Sequence, residues 1–212
     1  MSVVVIDYGA GNLKSAAKAL AHAAKETAET VIVTADPATI ARADRIVLPG
    51  VGAFAECKRG LDSIPGVVEA LHTAVRVHGR PFLGICVGMQ LMASTGVEYG
   101  EHPGLDWIQG RVVRLTPADP ALKIPQMGWN DLRLQKPAHP LFAGLATGVH
   151  GYFVHSYHVL LDKPDDLLAD VAYGGPVAAA IGRDNMAGLQ FHPEKSQAVG
   201  LTLLANFLRW KP

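Results

Sequence analysis

Two glycines bracket Cys86 in Pro81-Phe82-Leu83-Gly84-Ile85-Cys86-Val87-Gly88-Met89-Gln90-Leu91-Met92, and this spacing constrains the fold more than any other stretch. An apolar run ends at Gly84, and a helix-compatible run from Met89 to Ala93 follows. The pattern Gly-x-nucleophile-x-Gly predicts a sharp strand-to-helix elbow, where a side chain at either flanking position would collide with the strand or the helix. Such an elbow leaves the sulfur at the carboxyl end of a strand and the amino end of a helix, whose dipole favours a thiolate. A free thiol of pKa about 8.5 is only a few per cent ionised at neutral pH, so nucleophilic work requires that help. A lone cysteine in an apolar segment is more commonly packing, and the glycine pair is what sets Cys86 apart.

A cysteine nucleophile also needs an imidazole to move its proton and a carboxylate to fix the imidazole tautomer. Gly188-Leu189-Gln190-Phe191-His192-Pro193-Glu194-Lys195 supplies both, in His192 and Glu194. With Pro193 between them the segment is expected to be extended, so that the two side chains share a face. Alone, a His-x-Glu is more often a solvated pair of side chains than catalytic machinery.

The chain in order reads as an open α/β sheet. Val3 to Ile6 are a continuous β-branched run, suited to a strand buried on both faces. After the turn Asp7-Tyr8-Gly9-Ala10-Gly11-Asn12, apolar residues recur from Leu13 through Ala16, Ala17, Leu20, Ala23 and Ala24 at helical spacing. Gly9-Ala10-Gly11 invites a dinucleotide-binding reading, but Lys14 stands where the third glycine belongs, and the reading is rejected. Thr30 to Thr34 make a second strand, and Asp36-Pro37 begins a short helix by cap and first-turn proline. Arg45 to Leu48 make a third strand and deliver Pro49-Gly50-Val51-Gly52 at its carboxyl end, where the chemistry of such sheets gathers. Those glycines suit an ordinary turn; next to an elbow nucleophile they also suit a loop whose amide N–H groups meet a developing oxyanion. A helix is expected through Cys57, Leu61, Val67, Val68 and Leu71, with Cys57 as packing. Beyond residue 105 the pattern changes to short strand-like runs separated by proline or glycine turns: 111–115, 129–134, 152–159, 177–181 and 187–191. A closing helix places Leu203, Leu204, Phe207 and Leu208 on one face.

Composition excludes several classes. Lys and Arg total 19 and so do Asp and Glu, so no global field steers the chain to nucleic acid or an acidic membrane. Two cysteines, Cys57 and Cys86, are too few for a disulfide scaffold and suit a reducing compartment. The start lacks the basic and small-residue pattern of a signal peptide, and no apolar run approaches the ~20 residues of a membrane span. A cytoplasmic protein is expected, with one domain over residues 1–212. Nine histidines raise a metal site at His150, His155 and His158, but no metal-binding spacing is present and a strand would set His155 and His158 on opposite faces. No metal and no cofactor are expected.

Taken together, the elbow and the His192-Pro193-Glu194 segment resemble the class I glutamine amidotransferases, whose triad they match as Cys86, His192 and Glu194. The resemblance implies an open, mostly parallel sheet flanked by helices with a strand-rich second half. It implies the Val51 and Val87 amides, set among Gly50 and Gly52, as oxyanion donors. Gln90, Glu98, Ser156 and Tyr157 would bind the substrate glutamine, although Glu98 also suits a plain solvated charge. Tyr8 to Leu13, Pro125 to Asn130 and Tyr152 to Tyr157 further resemble the glutaminase subunits of imidazole glycerol phosphate synthase. Val87 and Ala93 depart from that pattern, where relatives often carry a leucine and a larger residue. That resemblance implies a (β/α)₈-barrel cyclase as partner, met by Asn12, Met127, Trp129 and Lys195, although Met127 and Trp129 also suit a core. Another class I glutaminase, a free-standing γ-glutamyl hydrolase and a non-catalytic binding subunit are the alternatives.

Overall fold

The computed structural model describes residues 1–27 and 29–212. Its main sheet has eight strands, in the order Thr30–Thr34, Ser2–Ile6, Arg45–Gly50, Phe82–Cys86, Met186–Leu189, Pro176–Arg183, Leu167–Ala172 and Arg133–Leu134. The first five run parallel, and the last three add antiparallel. Every residue of Arg45–Gly50, Phe82–Cys86 and Met186–Leu189 is buried. That requires cover on both faces, which is why these strands read as unbroken apolar runs. Helices Leu13–Ala23 and Gln197–Arg209 pack against one another, as do Pro37–Ala41 and Val67–His72. Asp36 caps its helix as expected, accepting from the Thr39 N–H at 2.9 Å. Among the described residues no helix is long and apolar enough to cross a membrane.

Register is what positions the site. Gly50 lies opposite Cys86 and Leu189 opposite Ile85 on the neighbouring strand. Three adjacent parallel strands therefore end side by side, releasing the Pro49–Gly52 loop, Cys86 and the Gln190-Phe191-His192 segment at one edge. This is the carboxyl edge at which open α/β sheets gather their chemistry.

Several expected elements are cut differently. The helix expected through Cys57 and Leu71 is two, Phe54–Asp62 and Val67–His72, separated at Gly66, whose φ of +80° no helix accommodates. The helix after Cys86 is a single turn, Val87–Gln90, and Ala93 already belongs to the strand Ala93–Gly96. The run 129–134 divides at Leu132 into Gln126–Asp131 and Arg133–Leu134, in different sheets. The run 152–159 breaks at Ser156 into His150–His155, paired with Gln126–Asp131, and Tyr157–Leu161, paired with Ile108–Arg114. His155 and His158 are consequently both buried, in different sheets and not on opposite faces of one strand. Leu167–Ala172 is a strand that no clean alternation announced; it makes the hairpin with Pro176–Arg183 through the Gly174-Gly175 turn.

Candidate active site

Cys86 sits at the elbow with φ +55° and ψ −113°, a strained positive-φ conformation that costs a non-glycine residue on the order of 1–3 kcal/mol. The surrounding backbone enforces it. A Cβ on Gly88 would lie 1.8 Å from the Leu48 carbonyl oxygen, and one on Gly84 would lie 2.6 Å from the Gly88 oxygen. Gly188 is equally tight, since a Cβ there would stand 2.6 Å from the Met89 side chain. The elbow is thus wedged between its own strand and the two flanking strands.

His192 follows the strand Met186–Leu189, and its Nδ1–H donates to Glu194 Oε1 at 2.8 Å, with both side chains almost fully buried. The expected extended segment is in fact a 3-10 turn, Pro193–Lys195, because the fixed φ of Pro193 suits a first helical turn. The turn folds Glu194 back beneath the ring. Ser196 locks it, donating to the His192 carbonyl at 2.7 Å and accepting from the Tyr152 N–H at 3.0 Å. Gly200 admits the closing helix, as a Cβ there would stand 1.8 Å from the Pro193 oxygen.

Burial alone would lower the His192 pKa, but the neighbouring Cys86 and the hydrogen-bonded Glu194 carboxylate overcome it and carry the imidazole to about 9. At neutral pH the ring therefore holds its second proton. An imidazolium is the partner that stabilises a thiolate and the acid that a departing amine needs.

The three ends open onto a cavity of about 320 Å³ lined by Val51, Gly52, Cys86, Val87, Gln90, Glu98, Ser156, Tyr157, His192 and Lys195 among others. That is the low end of the roughly 300–1,000 Å³ of small-molecule sites. Gln90 donates to the Tyr157 carbonyl at 2.9 Å and to Gln190 Oε1 at 3.1 Å. Glu98 is no free solvated charge, because its Oε2 accepts from the Phe54 N–H at 2.8 Å, at the start of the helix that follows the Pro49–Gly52 loop. Met127 and Trp129 are exposed, which excludes the core alternative, and Lys195 is exposed at the cavity. Asn12 differs: it is buried, and its Nδ2 donates to Glu194 Oε1 at 3.5 Å. Burial draws His155 down to about 4, so this cavity-lining ring is neutral, with contacts to the Tyr157 carbonyl at 2.9 Å and Gln126 Oε1 at 3.0 Å.

A thiol at a strained elbow, an imidazole with a raised pKa and a buried carboxylate are the groups that acyl transfer uses as nucleophile, acid-base and orienting group. The family described as Glutamine amidotransferase class-I matches residues 4–210. The chain belongs to the class I glutamine amidotransferases. This amidotransferase is 61% identical to the imidazole glycerol phosphate synthase subunit HisH of Rhodospirillum rubrum, with 100% of both chains covered. It is 58% identical to the protein of the same name from Rhizobium meliloti, again with 100% of both covered. A crystal structure of a glutamine amidotransferase, 18% identical, superposes with a TM-score of 0.72 over 97% of each chain, which speaks to the fold.

Sequence reasoning about the amidotransferase missed Gln190. It is fully buried, receives Gln90 and donates to the Cys86 sulfur at 3.9 Å. A lone amide in the otherwise apolar run 187–191, two residues before His192, was the available signal. Tyr8, whose hydroxyl donates to the Pro49 carbonyl at 2.6 Å, was missed too, in a turn segment that carried only the family resemblance.

Proposed function

We propose that this amidotransferase is the glutaminase subunit of imidazole glycerol phosphate synthase, one domain acting in the cytoplasm. It hydrolyses glutamine to glutamate and ammonia and passes the ammonia to a (β/α)₈-barrel cyclase, which makes imidazole glycerol phosphate and AICAR in histidine biosynthesis. The observation that carries this reading is the high identity to HisH subunits over the whole of both chains. A free-standing hydrolase shares the triad and gives no reason for that likeness.

Cys86 attacks the side-chain amide carbon of glutamine. The Val51 and Val87 amides, given room by Gly50 and Gly52, receive the oxyanion. His192 protonates the amide nitrogen, the carbon–nitrogen bond breaks, and ammonia leaves a thioester. Water then attacks, returning a proton to His192, and glutamate departs with Cys86 regenerated. Gln90, Glu98, Ser156 and Tyr157 hold the amino-acid end of the substrate. Met127, Trp129 and Lys195 face the cyclase, and Asn12 relays that contact to Glu194.

The test is a reconstitution. With the cyclase and its nucleotide substrate, glutamine should support formation of imidazole glycerol phosphate, and Trp129→Ala should weaken assembly. Glutamine hydrolysis with no transfer to any cyclase product would favour the free-standing hydrolase instead.

A further inference from the structure

The loop assigned to the oxyanion is gripped from behind by two side chains that the catalytic cycle does not use. The Tyr8 hydroxyl donates to the Pro49 carbonyl at 2.6 Å, and the Cys57 thiol donates to the Val51 carbonyl at 3.3 Å. The Pro49 carbonyl belongs to the peptide before Gly50, and the Val51 carbonyl to the peptide before Gly52. Between them lies the Gly50–Val51 peptide, which carries the Val51 N–H. We propose that Tyr8 and Cys57 are positioning residues, a two-point clamp that fixes the peptides on either side of Gly50–Val51 and so sets the ends about which the Val51 amide turns to meet the oxyanion. The proposal rests on the glutaminase reading above and adds to it the residues that set the geometry of its oxyanion hole.

The clamp is built as a unit. A Cβ on Gly60 would lie 3.0 Å from the Tyr8 carbonyl oxygen and 3.1 Å from its ring, so the helix Phe54–Asp62, which carries Cys57, is docked directly on Tyr8. On the opposite side the loop meets the elbow. A Cβ on Gly50 would be 2.7 Å from the Tyr8 hydroxyl and 2.7 Å from the Gly88 nitrogen, so Gly50 fits between clamp and nucleophile only because it lacks a side chain. Burial pushes the Tyr8 phenol far up and raises the Cys57 thiol, so both remain protonated donors at neutral pH. A thiol is a weak donor and a hydroxyl a stronger one. Serine at position 57 therefore keeps the contact while alanine removes it.

The test compares Tyr8→Phe, Cys57→Ala and Cys57→Ser in the complex with the cyclase, using wild type as the reference for glutaminase activity. Removing an oxyanion donor outright costs on the order of 10²–10³ in rate, and a donor that is only misaimed should cost about 10-fold. Tyr8→Phe and Cys57→Ala should each lower kcat by that lesser amount with KM nearly unchanged. Cys57→Ser should return kcat to within about 3-fold of wild type, since the donor is restored. Alkylation of Cys86 by iodoacetamide, a displacement at a saturated carbon with no oxyanion, should proceed at the wild-type rate in all three. The clamp is refuted if kcat stays at the wild-type value or rises in Tyr8→Phe and Cys57→Ala. It is equally refuted if Cys57→Ser is as slow as Cys57→Ala, or if the loss is matched by slower alkylation, which marks a general collapse of the site. An inactive wild-type complex would count against the glutaminase reading, and active wild type with unaltered variants against the clamp alone.

Discussion

The elbow at Cys86 and the Pro49–Gly52 loop lie side by side at the end of paired strands, yet they are held by different means. At the elbow backbone meets backbone: a Cβ on Gly88 would come within 1.8 Å of the Leu48 oxygen. At the loop, side-chain donors from Tyr8 and Cys57 hold two carbonyls, and a Cβ on Gly52 would meet nothing nearer than Glu56 Oε2 at 3.7 Å. Packed backbone has one arrangement at low energy, whereas a peptide between two hydrogen-bonded neighbours can turn about its ends. The proposed nucleophile is therefore the fixed part of this amidotransferase and the proposed oxyanion donor the adjustable part.

The sharpest way to break the comparison is at the nucleophile itself. Cys86→Ala should lower glutamine hydrolysis by several orders of magnitude, since no thioester can form, while ammonia-dependent synthesis by the complex persists. Near-normal glutamine turnover would remove Cys86 from the triad.

Next comes a matched pair of glycines. Gly88→Ala forces overlap with the Leu48 carbonyl and should cost at least about 3 kcal/mol, enough to lower the thermal midpoint by about 10 °C or prevent folding. Gly52→Ala has room for the methyl group but keeps φ at +102°, so a cost of about 1–2 kcal/mol and a shift of a few degrees are expected. Equal destabilisation by the two, read by calorimetry, would erase the distinction between elbow and loop.

Glu194→Gln acts on the third strand end. It should fold, lower turnover by roughly 10²-fold or more, and leave some thioester formation, because nucleophile and base remain. Removing the carboxylate takes away one of the contributions that raise His192, so its pKa, followed by NMR of the ring nitrogens, should fall from about 9. Stability from the protonated ring is fully present below its ordinary pKa of 6.5 and lost as pH rises through about 9. Between those values the wild-type thermal midpoint should decline, and that of Glu194→Gln should decline less. An unchanged His192 titration would show that Glu194 does not orient it.

The smallest effect concerns the partner. If docking turns the loop, Trp129→Ala should reduce stimulated hydrolysis at limiting cyclase and recover it at saturation, since Trp129 is exposed and distant in role from the thioester. Loss that saturation does not repair would move Trp129 from docking to catalysis.

How much of this was legible in sequence follows from the same physics. The parallel strands were readable because burial on both faces leaves continuous apolar runs, and the elbow because its glycines are obligatory. The split at Ser156 was not, since a break between two sheets leaves no mark when both sides remain β-prone. The 3-10 turn at Pro193 was missed because proline suits an extended segment and a first helical turn alike. Asn12 read as surface, while the structure buries it beside Glu194, a contact 182 residues distant in sequence. Gln190 meets Gln90 and Cys86 at separations of 100 and 104 residues, and Tyr8 meets Pro49 at 41, and no local pattern reports such partners.

The most direct measurement of a fixed nucleophile beside an adjustable oxyanion loop is glutamine hydrolysis by the chain alone, with the cyclase, and with the cyclase plus its nucleotide substrate. Turning one oxyanion donor into place should raise kcat on the order of 10²–10³ from the first state to the third. The rate of Cys86 alkylation should stay constant across the same three states. Equal turnover in all three, or a rise in turnover matched by a rise in alkylation, would contradict this account.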